Sequence, residues 1–187
     1  GTGATDIDTA FNLEVDASAL ATGATLTLKD TGTKNYTVTG LVGAIAAGTL
    51  AGTLSATTAD DSGNAISITT GAGNTTVNTA AGAGNDVVSI DAELIVDDGS
   101  LTITSGAGAA GTVNISNLEG DLTVSNPTSG IITVALSNVT DNGLTIAAGA
   151  ATLNVDDIAD GDTITITGVD GVFTADLVGG GTTGKVD

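Results

Sequence analysis

The sequence predicts an all-β chain folded as a parallel β-solenoid (β-helix) with coils of about 20 residues, and three observations point there. Short apolar-polar-apolar triplets recur along the chain, each bounded by Gly, Asp, Asn or Ser, which is the period-two pattern of strands joined by tight turns. Two triplet series interleave. One runs Leu101-Thr102-Ile103, Leu122-Thr123-Val124, Leu144-Thr145-Ile146, Ile164-Thr165-Ile166; the other runs Val113-Asn114-Ile115, Ile132-Thr133-Val134, Leu153-Asn154-Val155, Val172-Phe173-Thr174. Apolar residues make up 41% of the chain but aromatics only 2%, so a core must be built in thin layers of small and β-branched side chains.

Each coil should supply one strand to each of two sheets, with the flanking apolar pair turned inward and the central Thr or Asn outward. Upstream, Ile66-Ser67-Ile68, Val77 and Val88-Ser89-Ile90 continue the alternation. Leu13-Glu14-Val15, Leu26-Thr27-Leu28 and Tyr36-Thr37-Val38 follow the same grammar, but spacing turns irregular between Gly40 and Ala59. We therefore expect a β-rich N-terminal segment at residues 1–60, with room for a small sandwich-like lobe, and a solenoid over 61–187. A β-sandwich is the competing fold for the whole. It normally places an aromatic in its core, and Gly63 to Val169 contains none. Leu13, Val15 and Asp16 also resemble Leu153, Val155 and Asp156, as the start of a tandem repeat would.

The charge balance is one-sided: 22 acidic residues against three lysines give a formal net charge of −19. With no arginine, the chain lacks the cations that phosphate backbones and anionic membranes attract, so neither nucleic acid nor membrane insertion is expected. Self-repulsion on this scale weakens a compact state unless cations gather on it, and divalent ions do so best. The absence of Cys removes disulfides and thiolate metal sites. Gly1 is preceded by no Met or leader, which leads us to expect a portion of something longer.

Three turns share a Gly-Ala-Gly core, at Gly71, Gly82 and Gly106. The middle one, Ala81-Gly82-Ala83-Gly84-Asn85-Asp86-Val87-Val88-Ser89, resembles the RTX nonapeptide Gly-Gly-x-Gly-Asn-Asp-x-apolar-x with its first Gly changed to Ala. The resemblance implies calcium (Ca2+). Asp86 would give a carboxylate, Gly82, Gly84 and Asn85 backbone contributions, and Val88 the anchor of the next strand, with Asp60, Asp61, Asp91, Asp97 or Asp98 completing the shell. The preceding turn has Thr75 where Asp belongs, so a regular calcium roll is not implied; the competing reading is a solenoid turn that needs Gly for its backbone alone. The texture of Thr, Ala, Gly, Asp and Val with few lysines is similar to type I secreted bacterial surface-layer and large repetitive surface proteins. That similarity implies an extracellular, cell-surface structural protein that binds its own copies, calcium and, as an attachment partner, a cell-surface polysaccharide.

Chemistry argues against an enzyme. His, Cys and Arg are missing, and the adjacent pairs Asp97-Asp98 and Asp156-Asp157 would point to opposite faces of a strand. The expected function is thus a subunit of a calcium-dependent surface layer or filament. The alternative is a stalk that extends an adhesin. A weaker one is an ice- or carbohydrate-binding solenoid, because Thr102, Thr123, Thr145 and Thr165 would stack as an outward ladder in which Asp121 and Gly143 interrupt the neighbouring column.

Overall fold

The computed structural model describes residues 5–8, 12–30, 33–59, 63–79, 86–95, 99–105, 110–125, 129–136, 143–147, 152–158, 163–167, 173–177 and 185–186. Among them there is no helix. The strands of the first half are β1 (Thr5–Asp8), β2 (Leu13–Asp16), β3 (Thr25–Lys29), β4 (Tyr36–Leu41), β5 (Ala44–Ala46), β6 (Leu54–Thr58), β7 (Ala65–Thr69), β8 (Thr75–Thr79) and β9 (Val87–Asp91). The second half gives β10 (Ser100–Ser105), β11 (Ala110–Leu118), β12 (Asp121–Ser125), β13 (Ser129–Leu136), β14 (Gly143–Ala147), β15 (Thr152–Ile158), β16 (Thr163–Thr167), β17 (Phe173–Leu177) and β18 (Lys185–Val186). Odd strands form one nine-stranded sheet and even strands the other, each in chain order.

Every pairing is parallel, and neighbours in a sheet lie one coil apart in sequence. That step ranges from 17 residues at Leu41 and Thr58 to 26 at Asn74 and Ser100, with 22 between Asn64 and Asp86. The strands before residue 60 join the same two sheets: β4 pairs with β6, β6 with β8, and β5 with β7. Further coils thus take the place of the sandwich-like lobe allowed for at residues 1–60. The irregularity between Gly40 and Ala59 has a local cause, a register shift in β4 between Val38 and Leu41 at the positive-φ Gly40.

The expected register Leu101, Leu122, Leu144, Ile164 is the observed one. In the other sheet Val113, Ile132 and Leu153 align as expected, but Phe173, not Val172, continues their column. Counting Val172 as the apolar start of that triplet placed it one residue early.

Between the sheets lies an apolar seam. Leu26, Leu28, Ile45, Ile66, Ile68, Val88, Ile90 and Ile115 enter from the odd sheet, and Tyr36, Val38, Leu54, Val77, Leu101, Ile103, Leu122 and Val124 from the even sheet, all at most 2% exposed. Each such aliphatic contributes about 1.5–3 kcal/mol relative to exposure. The corners repeat too. Ala17, Ala47 and Ala92 are buried, and their carbonyls accept from the amides of Leu20, Leu50 and Ile95 three residues on, closing a tight turn at 2.8–2.9 Å each time.

Coils stack at strand spacing, about 4.8 Å, so a corner residue whose Cβ would lie along the stacking axis must be glycine. A methyl on Gly73 would run into the carbonyl of Gly52 beneath it, and one on Gly71 into the carbonyl of Leu50. The Gly71-Ala72-Gly73 turn therefore owes its glycines to coil-on-coil approach.

Candidate cation site at Asp86

Position Asp86 is the residue just before β9, and Asn64 holds the equivalent place before β7, because Ala65 pairs with Val87. Gly111 follows in the same column, since Thr112 pairs with Val87. The backbone hydrogen bonds run straight through it: the Val87 amide donates to the Asn64 carbonyl at 2.9 Å and the Thr112 amide to the Asp86 carbonyl at 2.9 Å. A Cβ on Gly111 would sit 2.7 Å from that Asp86 carbonyl, so the coil above approaches the aspartate closely.

Asp86 is only 5% exposed. Its Oδ1 accepts the Asn64 amide at 2.8 Å, one coil back. Its Oδ2 is buried and has no hydrogen-bond partner among the described residues. Burying a carboxylate with an unmatched oxygen costs several kcal/mol unless a donor, a proton or a cation meets it. The donor chemistry is thus that of a hard-cation ligand: one inward-held carboxylate oxygen left over after the other has been used to fix its orientation.

A calcium ion takes roughly six to eight oxygens, and Asp86 alone cannot supply them. No group of three or more acidic residues gathers among the described residues. Gly82, Gly84, Asn85, Asp97 and Asp98, as well as Asp60 and Asp61, lie outside the described residues. Asp91 does not complete the site. It ends β9 where Asp86 precedes it, which puts the two about 16 Å apart along an extended strand. Its carboxylate serves the opposite corner, where Oδ1 accepts the Asn117 side-chain amide at 3.0 Å and the Glu93 backbone amide at 3.4 Å. Asn117 stands in the left-handed region (φ 58°) at the bulge of β11, a conformation Asn tolerates, and so reaches back to the preceding coil. Val88 is buried as the anchor of β9, as the motif implied.

A second polar column, not foreseen from the sequence, precedes the even strands. Asn12 Oδ1 accepts the Asn35 amide at 3.0 Å, Asn35 Oδ1 the Thr53 amide at 3.1 Å, and Asn74 Oδ1 the Ser100 amide at 3.1 Å. In all three the asparagine side chain accepts from the coil that follows it, whereas Asp86 accepts from the coil before it. The signal was present: Asn12, Asn35, Asn64, Asn74 and Asp86 each stand immediately before a strand. At the far corner Asp16, exposed, accepts the Ser18 amide at 3.0 Å, and the Ser18 side chain followed by its backbone holds the Asp16 carboxyl below its ordinary value.

No family model, curated protein or solved structure matches the chain. The fold class, a parallel β-helical repeat protein, therefore rests on the strand pairing itself.

Proposed function

We propose that the chain is a non-enzymatic structural module of a bacterial surface layer or extracellular filament, secreted to the cell surface and assembled from its own copies with calcium. The observation that carries this reading is the buried Asp86 carboxylate with one oxygen unmatched among the described residues, in the one turn whose sequence resembles a calcium-binding nonapeptide. A net charge of −19 supports it, since repulsion between stacked coils falls when divalent ions collect on them.

The reading is tested by light scattering and negative-stain electron microscopy of the purified chain as calcium is added and then removed with EGTA. Polymers or sheets that form with calcium and dissolve with EGTA are expected. A chain that stays monomeric in millimolar calcium is a spacer instead, and polymers indifferent to EGTA contradict the ionic part of the proposal.

A further inference from the structure

The outward face of the even sheet carries a grid of uncharged side chains, two per strand. The ranks are Ser55 and Thr57, Thr76 and Asn78, Thr102 and Thr104, Thr123 and Ser125, with Thr145 continuing the first column. None is buried. The first column runs on through Thr145 to Thr165, while the second meets Ala147 before Thr167. From β6 to β16 the pairing has no shift, so the ranks stay level over six strands. From β6 to β12, oxygen-bearing positions therefore repeat at about 4.8 Å across strands and about 6.6 Å along them. Threonine is stiff at χ1, which fixes its hydroxyl and methyl relative to the sheet. Within the grid, the Ser125 hydroxyl lies 3.5 Å from that of Thr104.

The chain has 22 acidic residues, yet these solvent-facing ranks hold none. Asp91 and Glu93 sit at a corner of the odd sheet, Glu119 precedes β12, and Asp121 shares the outward face only as its edge position, two residues before Thr123. Within the ranks themselves there is no charge to hold a charged partner. A sugar surface would want aromatic platforms, and the aromatic on these even strands, Tyr36, is 1% exposed. Assembly with a second copy is proposed to run through acidic residues that calcium bridges, and these ranks carry none. Hydroxyls that both donate and accept, held at a regular spacing in two directions, and each threonine hydroxyl paired with a methyl that sheds its own hydration, suit an ordered water lattice.

We infer that this face binds ice. The inference does not depend on the calcium reading, because the grid and Asp86 belong to different sheets. The test is thermal hysteresis, ice-crystal shaping and recrystallisation of the purified chain in calcium-containing buffer. Compared with it are Thr102→Lys/Thr123→Lys, the single Thr145→Lys, and Ser67→Lys/Ser89→Lys on exposed positions of the odd sheet, with folding checked by circular dichroism. The wild type and the odd-sheet variant should shape ice and slow its growth, and both grid variants should lose that activity while keeping their β spectrum. A wild type with no effect on ice beyond buffer, or grid and odd-sheet variants of equal activity, overturns the inference. Loss of the β spectrum in the double variant leaves Thr145→Lys to decide in the same way.

Discussion

The Asn64 amide donates to Asp86 Oδ1 at 2.8 Å across 22 residues of sequence, tying one coil to the next inside a buried turn. That bond and the unmatched Oδ2 beside it separate two roles within one carboxylate, so substitutions can separate them too. Asp86→Asn keeps the acceptor and removes the charge. In EGTA it should melt at or above the wild-type temperature, and in calcium it should lose the stabilisation that the wild type gains. Asp86→Ala strands the buried Asn64 amide and should cost about 1–3 kcal/mol in either buffer. Thermal melts with and without calcium read both effects. A wild type with no calcium-dependent shift would remove Asp86 as an ion ligand.

Gly73 lies against the Gly52 carbonyl with no space for a methyl. Gly73→Ala should therefore cost about 2–3 kcal/mol or more, because the backbone contact cannot relax without parting the coils. Gly23, by contrast, has open space around it and a φ of +78°, so Gly23→Ala should cost about 1–2 kcal/mol, from backbone strain alone. Urea midpoints of the two variants give the comparison; equal losses would mean that coil spacing does not set the requirement.

In the column before the even strands, Asn35→Ala removes the acceptor of the Thr53 amide. The expected loss is about 1 kcal/mol, since this edge is exposed and water replaces the bond in part. Asn35→Asp retains the oxygen and should keep the Thr53 amide protected. Hydrogen exchange at Thr53 distinguishes the variants: fast in the first, slow in the second.

Asp16 is held below its ordinary pKa by Ser18. A carboxylate depressed on folding contributes stability that is fully present above its unfolded pKa and is lost as pH falls through the folded value. This contribution should therefore begin to fall as pH drops past the ordinary Asp value of 3.8 and be gone only below the lowered folded value. Ser18→Ala should bring the Asp16 titration, followed by NMR, back up towards 3.8. An unchanged titration would show that Ser18 is not the cause.

Much of the rod was legible in the sequence because its inward positions are large aliphatics at a steady step. Leu101, Leu122 and Leu144 announce their column by repetition. Legibility failed where the inward residues are small. The strand Ala44-Ile45-Ala46 has a single Ile, and Leu54–Thr58 turns Ala56 and Thr58 inward, so neither stands out from its Ala- and Thr-rich surroundings. At Phe173 two adjacent apolar residues offered alternative registers, and a slip of one reverses the faces. Asp86 was reachable through its nonapeptide, yet its partner Asn64 was not, because the link is between coils and leaves no local spacing to read. Asp91 ends β9 and its carboxylate serves the corner opposite Asp86, so closeness in sequence along an extended strand is distance in space.

The cation site, the asparagine column and the hydroxyl grid all require coils stacked in parallel register, which in the grid places Thr102 directly beside Thr123 and Thr123 beside Thr145. Pairwise cysteine oxidation measures this. Adjacent coils stand about 4.8 Å apart, within the Cα separation a disulfide spans, and alternate coils at about 9.6 Å lie beyond it. The account predicts that Thr102→Cys/Thr123→Cys oxidises to an intramolecular disulfide while Thr102→Cys/Thr145→Cys stays reduced; the opposite result, or no disulfide in either, would contradict the stacked coils.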